Sequence, residues 1–524
     1  MIGAPFDAVV IGAGVNGLVA AAVLGRGHRR VLVVDSNDSI GGQARPFEFA
    51  PGFRAPLSID GGWLSPRLAD DLGLTRPPMV EPATSLSIAD DDGCLSLPRD
   101  PRAAASAIST LSSRDAQRWP GFVARLGKLA GFLGTLYEQA PPDVETTSLS
   151  DLASLVGVGR KFRSLGREDM TALLRVMPMS IQDLLDDVFE NTTLKAAIAA
   201  GALRDLRQGP RSGGTTFNLL HYLVGAPAGS VRARAWWRDH PTALAHAVEA
   251  LVRSFGGIVR TNTSVERIIV KDYRVAGVLL SDGEEVSART VISTADPAST
   301  LLGLVDPVWL DPDVLLATRN IKYRGSTALV YFALDRLPNG PGLDVAALSS
   351  VVTLTTCMDR LERAYDAAKY GDVSAEPHVE FTVPSLRWPS LAPQGKHVIA
   401  ARMQYVPNNP VSGAWTPERT RELGDIATKM IERAVPGFTE RVVHRAVFTP
   451  ADIEARFGLT DGALTHGELT LDQILFMRPI AGWGRHAMPI DGLYLGGSGA
   501  HPGPGIVGTP GWLAARAAVS SRSK

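Results

Sequence analysis

Glycine-rich segments carry the residues whose types and spacing could hold a phosphate group. The first segment, residues 12–17 (GAGVNG), follows an apolar run and precedes a stretch with helical spacing. Gly12 permits a tight turn, Gly14 lets backbone amides approach a pyrophosphate, and Gly17 lets helix and strand pack closely. The first turn of a helix also favours negative charge. The segment therefore predicts a dinucleotide-binding site.

An acidic residue stands where such a site needs one. Asp35 ends the second predicted strand, residues 30–34, and can accept hydrogen bonds from a ribose hydroxyl. Strand, turn, helix, strand and acid follow one another in the order that the motif requires. The motif alone does not choose between NAD and FAD. Gly41 and Gly42 add a second place where backbone could lie against a cofactor.

Titratable side chains near the C-terminal end are candidates for proton transfer. His466, Glu468 and His501 could act as acids or bases, and Arg478 could clamp an anion. The structural alternatives are that His466 and Glu468 join strands or cap a turn, and that His501 orients the glycine-rich loop around it. A single histidine without a placed partner is usually structural, so both interpretations stay open.

The surrounding elements would position these residues. Residues 6–11 (FDAVVI) predict a central parallel strand. Residues 257–294 predict short strands with turns at 272–273 and 282–283, the last strand returning to the central sheet. Residues 492–511 predict a strand, a glycine-rich turn and a helix that begins near Thr509. Thr509 is predicted as the N-cap of that helix and Pro510 as its first residue.

Composition narrows the class of protein. The chain has 524 residues, which favours at least two packed units, and a net charge of −1, which offers no global attraction for nucleic acid. It has 2 cysteines, so neither a disulfide framework nor a thiol redox pair is indicated, and a reducing compartment such as the cytoplasm fits. The histidines are scattered, so we expect no metal site.

Three uncharged stretches, residues 8–25, 212–231 and 492–515, carry glycines that favour burial in a soluble fold over a membrane span.

These segments, together with residues 180–205 and 466–479, resemble the phytoene-desaturase-like flavoproteins, which are related more distantly to flavin amine oxidases. Within that family the sequence is similar to the branch named for pyridine nucleotide-disulphide oxidoreductase domain-containing protein 2. The resemblance spans most of the chain and is weakest over residues 76–175 and 300–450. It implies that the cofactor is FAD.

By position, the resemblance also implies a set of cofactor contacts. These are Gly12, Gly14, Val15, Asn16 and Gly17 at the pyrophosphate, Asp35 at the adenosine ribose, Val265 at the adenine, Gly41, Gly42 and Ala44 on the flavin side, and Gly497, Ser498, Gly505, Ile506 and Gly508 beside the isoalloxazine.

Two positions depart from the family pattern. Relatives commonly carry Glu where Asp35 stands, so the shorter side chain must reach the ribose through a small shift or a water. Relatives also commonly show Gly-Gly-x-Gly where residues 236–241 read WWRDHP. Arg238, Asp239 and His240 could therefore touch substrate, although a solvated turn is an equal alternative. Bulk and charge there disfavour a long carotenoid as substrate.

The predicted fold class is α/β. A Rossmann-type FAD-binding domain, whose parallel sheet has a β-meander insertion, would comprise residues 1–75, 245–300 and 455–524. A discontinuous α+β substrate domain would comprise residues 76–244 and 301–454. This division follows from the order of the motifs, because cofactor signals lie near both ends and once in the middle of the chain.

The predicted function is an FAD-dependent oxidoreductase that desaturates or dehydrogenates an apolar or semi-polar small molecule by hydride transfer. The alternatives are a flavin amine oxidase, a redox-neutral isomerase on reduced flavin, and a non-catalytic flavoprotein scaffold. Oxygen or a quinone is the expected electron acceptor, because no second GxGxxG unit is present. The helix near Thr509 is expected to stabilise the reduced ring through its positive end. A homo-oligomer and a peripheral contact with membrane both stay open.

Overall fold

A five-stranded parallel sheet forms the centre of the cofactor half in the computed structural model, which describes residues 5–91, 93–142, 149–355 and 357–521. Its strands lie in the order Leu493–Leu495, Val291–Ser293, Ala8–Ile11, Val31–Val34 and Ile258–Arg260. The central strands are apolar and buried, as a parallel sheet with both faces covered requires. The predicted Rossmann-type sheet is therefore confirmed.

A three-stranded antiparallel sheet provides the predicted β-meander. Its strands, Val265–Lys271, Arg274–Leu280 and Glu285–Ser287, are joined by turns at the two predicted positions. The chain then returns through Val291–Ser293, which pairs in parallel with Ala8–Ile11. The turn signals and the apolar final strand thus predicted the local structure correctly.

A second sheet lies in the rest of the chain. Its seven strands are Val442–Phe448, Thr327–Leu334, His397–Gln404, His378–Thr382, Val352–Thr353, Thr84–Asp90 and Gly93–Pro98, in that spatial order. All seven fall within the predicted substrate domain, whereas all strands of the parallel sheet fall within the predicted cofactor domain. The domain boundaries themselves stay a prediction.

Helices complete both halves. Those of the cofactor half are Val15–Arg26, Pro66–Leu72, Ala243–Ser254 and Thr509–Ser520. Those of residues 76–244 are Pro101–Ile108, Ser113–Tyr137, Leu149–Ser164, Arg167–Val176, Ile181–Asp186, Thr192–Ala202 and Thr215–Leu223. The remainder are Pro312–Arg319, Val345–Leu348, Met358–Lys369, Pro384–Arg387, Pro417–Ala434 and Pro450–Phe457. Within the described ranges, none of these helices combines the length and the hydropathy that a membrane crossing needs.

Two short strand pairs complete the fold, one in the cofactor half and one in the rest of the chain. Phe47–Ala50 pairs with Phe53–Ala55, and Met79–Val80 pairs with Trp236–Trp237. The second pair holds Trp236 and Trp237, the first residues of the segment 236–241 in which the sequence differs from its relatives.

The C-terminal helix begins at Thr509, the residue that was predicted to cap it. Gly508, with a φ of 79°, is the cap residue, and Thr509 is already helical. The Thr509 side chain is fully buried, and its hydroxyl has no hydrogen-bond partner among the described residues. The N-cap prediction for Thr509 was therefore wrong, because a left-handed glycine turns the chain into the helix instead.

Candidate functional site

The glycine-rich segments line a single cavity of about 460 Å³, a size typical of ligand sites. The sequence-predicted contacts on its wall are Gly12, Gly14, Val15, Asn16, Asp35, Gly41, Gly42, Ala44, Val265, Ser498 and Gly505. Residues far apart in sequence thus meet around one space. Their roles toward a cofactor stay predictions.

The start of the first helix is open toward this cavity. Gly14 is its cap residue and offers no side-chain cap, so the first amide groups of the helix stay free to donate to an anion. Gly12 has a φ of 100°, which favours glycine. A β-carbon on Gly17 would clash with the carbonyl oxygen of Gly12, so only glycine allows this close approach of helix and turn. The cradle fits a pyrophosphate.

Asp35 is buried behind the same turn. Its carboxylate accepts hydrogen bonds from the backbone N–H of Ala13 at 2.6 Å and of Asn37 at 2.8 Å, and from the Asn37 side-chain amide at 2.8 Å. A carboxylate offers about four acceptor positions, so one remains for a ribose hydroxyl. The short side chain is thus held rigidly at the cavity wall.

Four predicted contacts lie behind the wall. Gly17 packs against Gly12, and Gly497 against the backbone of Thr294. Ile506 is 1% exposed and joins the helical core. Gly508 donates its N–H to the side-chain oxygen of Asn16 at 2.7 Å. These residues shape the cavity without facing it.

His466 is the only one of the three acid-base candidates that the structure places on the cavity wall. Its Nδ1 is buried and has no hydrogen-bond partner in the described part of the chain. Burial lowers the pKa of the imidazole, so His466 is neutral near pH 7. A neutral ring with a free nitrogen can accept a proton from a bound molecule.

Glu468 lies outside the cavity lining and its carboxylate is already engaged. One oxygen accepts the backbone N–H of Arg207 at 2.6 Å, and the other is paired with the guanidinium of Arg324. The side chain is fully buried. We therefore correct its prediction as an acid or base: Glu468 joins the two insertions of the chain.

Arg478 and His501 are also structural in this arrangement. Arg478 is 1% exposed and donates to five backbone carbonyl oxygens, for example to that of Ser498 at 2.8 Å and that of Thr465 at 2.9 Å. It holds the loops together and is not available as an anion clamp. His501 packs edge-on against Tyr137 away from the cavity lining, and burial lowers its pKa to about 3. Because His501 does not line the cavity, the structure does not support it as an acid or base there.

The residues of the predicted turn before the helix Ala243–Ser254 have two different environments. Trp237 lines the cavity, whereas Arg238 and Asp239 are exposed. His240 is half-buried, with its Nδ1 2.7 Å from the hydroxyl of Thr242. The solvated-turn alternative therefore describes Arg238 and Asp239, and a tryptophan supplies the bulk at the cavity.

A charged cluster on the cavity wall was missed by the sequence analysis. We call it the arginine chamber; its members are Asp60, Arg204, Asp205, Tyr222, Arg234 and Arg402. The only local signals were the charged pair 204–205 directly after an alanine-rich helix and an arginine just beyond the uncharged stretch 212–231. Neither signal shows that the side chains converge.

The contacts within the arginine chamber are close. Arg204 lies 2.7 Å from a carboxylate oxygen of Asp60 and 3.5 Å from one of Asp205, and its guanidinium is 5.1 Å from the ring centroid of Tyr222. Arg402 is paired with Asp205. Burial alone would raise the pKa of Asp60, but Arg204 and Arg387 outweigh it and lower that pKa to about 2. Asp60 is therefore ionised at any ordinary pH.

Arg234 differs from its neighbours. It is 6% exposed and donates to the backbone carbonyls of Tyr222 at 2.7 Å and Gly505 at 3.0 Å. Within the described ranges, no ion pair joins it to a carboxylate. Burial lowers its pKa from the usual 12.5, and it stays a cation because a guanidinium does not deprotonate in proteins.

Comparison of the sequence with known proteins identifies a family and several relatives. Residues 16–503 match the family model described as flavin containing amine oxidoreductase. The chain is 33% identical to the rat protein named pyridine nucleotide-disulfide oxidoreductase domain-containing protein 2, covering 97% of this chain and 92% of that protein. It is 25% identical to the lycopene-forming phytoene desaturase of Pseudescherichia vulneris, covering 98% of each.

Solved structures show the same fold. An oxidoreductase from Methanosarcina mazei has a TM-score of 0.59 at 17% identity, covering 99% of this chain and 100% of that one. Wild-type putrescine oxidase bound to putrescine has a TM-score of 0.58 at 14% identity, covering 99% of each chain. At these identities the likeness concerns the fold alone.

Proposed function

The chain belongs to the flavin containing amine oxidoreductase family, and on that premise we propose that it is an FAD-dependent dehydrogenase of a small organic molecule. FAD is the cofactor of the family, and the described residues fit it. The open helix start after Gly14 suits the pyrophosphate, and Asp35 has a free acceptor position for the ribose. When bound, FAD would supply the acceptor for a hydride from a substrate carbon, with oxygen or a quinone as the expected final electron acceptor.

The observation that carries this proposal is the shared wall of the cavity. The predicted cofactor contacts and the arginine chamber line the same space. The chain thereby offers both a surface for the cofactor and a group of side chains that can orient a second molecule beside it. Dehydrogenation needs little more from a protein than positioning and the exclusion of water.

His466 is the residue that we propose to receive the proton released when the hydride leaves. Its Nδ1 is unpartnered, it lines the cavity, and burial keeps the ring neutral. The proton would move from the substrate atom beside the reacting carbon to Nδ1 of His466. Water could carry it from there to solvent.

The test begins with the purified protein and its visible spectrum. We expect an FAD spectrum, and anaerobic bleaching by at least one member of a panel of carboxylic acids, primary amines and isoprenoid hydrocarbons. Release of peroxide that depends on an amine would identify an amine oxidase, and turnover only on prereduced flavin an isomerase. FAD that no compound can reduce would favour a scaffold. A protein that binds no FAD, even when FAD is added, would overturn the proposal.

A further inference from the structure

We propose that the arginine chamber binds the carboxylate of an acidic substrate, so that the molecule oxidised is an organic acid anion. The proposal rests on the proposed function, because it names the substrate class of that same site. It replaces the apolar or semi-polar substrate that the sequence predicted.

The first argument is charge. The chamber brings three arginines to the cavity wall against two aspartates, and a fourth guanidinium, Arg387, lies 3.8 Å behind Asp60. Arg204, Arg234 and Asp205 are all largely removed from water. Asp35 and Asp296 also line the cavity, but within the described ranges neither is in an ion pair with Arg234. A buried cation is costly unless an anion faces it, so the unpaired Arg234 calls for a negative ligand.

The second argument is geometry. Arg234 donates hydrogen bonds to the carbonyl oxygens of Tyr222 and Gly505, and these two bonds fix the plane of its guanidinium group. A guanidinium has five N–H donors, so others remain, and a fixed planar fork matches a carboxylate. The guanidinium of Arg234 lies 3.6 Å from where a β-carbon of Gly505 would stand. The family resemblance places Gly505 beside the isoalloxazine, so an acid held here would present its neighbouring carbons to the flavin.

The same contacts disfavour an amine. An ammonium group needs a carboxylate that is not yet paired, but in the arginine chamber Asp60 faces Arg204 and Arg387, and Asp205 faces Arg204 and Arg402. Asp296, elsewhere on the cavity wall, already accepts hydrogen bonds from Ser299 and Thr460. The aromatic residues on the cavity wall are Tyr222, Trp237 and Phe457, and the ring of Tyr222 already faces the guanidinium of Arg204. A hydrocarbon would leave the buried guanidinium of Arg234 without an anion.

The experiment uses the FAD-loaded protein and three probes of one shape: benzoate, benzamide and benzylamine. Their affinities are measured by calorimetry and by the change in the flavin spectrum. We expect saturable binding of benzoate and at least about tenfold weaker binding of the two others. Arg234→Met should weaken benzoate binding by at least about thirtyfold, and Arg234→Lys by less, because lysine keeps the charge without the fork.

Arg238→Met is the matched control, because Arg238 lies nearby in sequence but is exposed. It should leave benzoate affinity unchanged, and every variant should keep its flavin content. Benzamide or benzylamine binding as tightly as benzoate would overturn the inference. So would an Arg234→Met protein that binds benzoate normally but has a lowered flavin potential, since the charge would then serve the cofactor. In both cases bound, reducible FAD would leave the proposed function standing, whereas a chain without FAD would overturn both.

Discussion

The side-chain oxygen of Asn16 accepts the backbone N–H of Gly508 at 2.7 Å, although 492 positions separate the two residues. Asn16 lies in the first turn of the first helix, and Gly508 caps the last helix. The bond therefore joins the two ends of the chain at the point where the cofactor site closes. It is partly buried, so its loss leaves a backbone donor without a partner.

We expect Asn16→Ala to lower the free energy of unfolding by about 1 to 3 kcal/mol and to weaken FAD binding. Asn16→Asp is the matched variant, because it keeps an acceptor for Gly508 but adds a negative charge beside the expected pyrophosphate. It should retain most of the stability and still lose FAD affinity, measured by quenching of flavin fluorescence. Wild-type FAD affinity in the Asp variant would place the pyrophosphate elsewhere.

Gly17→Ala should abolish FAD binding or prevent folding. The added β-carbon would meet the carbonyl oxygen of Gly12, and backbone there cannot move without opening the turn. Gly121→Ala is the control, since Gly121 lies in the helix Ser113–Tyr137 with nothing within 4 Å of the new methyl group. That change should raise the free energy of unfolding by up to about 1 kcal/mol. Flavin content after purification and thermal unfolding distinguish the two, and a Gly17→Ala protein with full FAD content would contradict the predicted close packing.

Local signals account for the parts of the fold that the sequence predicted. The turn pairs at 272–273 and 282–283 and the apolar strand at Val291–Ser293 need only neighbouring residues to be recognised. Burial and distant pairing account for what was missed. Glu468 has the chemistry of an acid or base, and only its contact with Arg324, 144 positions away, shows that its charge is engaged. Asp60 and Arg204 are likewise 144 positions apart, so no local pattern could join them.

Buried histidines should make the fold labile to acid. Burial lowers the pKa of His221, His486 and His501 to about 3, 4 and 3, against 6.5 when unfolded. Their stabilisation is complete above pH 6.5 and is lost as the pH falls toward 4, because only the unfolded chain then takes up the protons. Each should contribute about 1.4 kcal/mol per pH unit to the slope of the unfolding free energy between these values.

The check is a series of urea unfolding curves from pH 7 to pH 4.5. His486→Asn should reduce the slope by about 1.4 kcal/mol per pH unit, and asparagine tolerates the positive φ of 72° at this position. His28→Asn, at an exposed residue that also has a positive φ, should leave the slope unchanged. A slope unaffected by His486→Asn would mean that this histidine titrates normally in the folded protein.

Thr509→Val should be neutral or should stabilise the protein by up to about 1 kcal/mol. The hydroxyl is buried without a partner among the described residues, and valine has nearly the same shape without a group to desolvate. Thermal unfolding of the FAD-loaded and FAD-free forms tests this. A loss of stability confined to the loaded form would reveal a hydrogen bond to the cofactor. A loss in both forms would reveal a bound water.

His466 and Glu468 should respond differently to removal of their titrating groups. His466→Gln removes the proton acceptor from the cavity wall, so we expect kcat to fall by about 100-fold and the acidic limb of its pH profile to disappear. Glu468→Gln removes the charge that pairs with the partly exposed Arg324, so it should lower the free energy of unfolding by about 1 to 3 kcal/mol. The Glu468 variant should keep the pH profile of kcat at a temperature where it is folded. If Glu468→Gln lost the acidic limb and His466→Gln kept a normal pH profile, Glu468 would be the proton acceptor and His466 the structural residue.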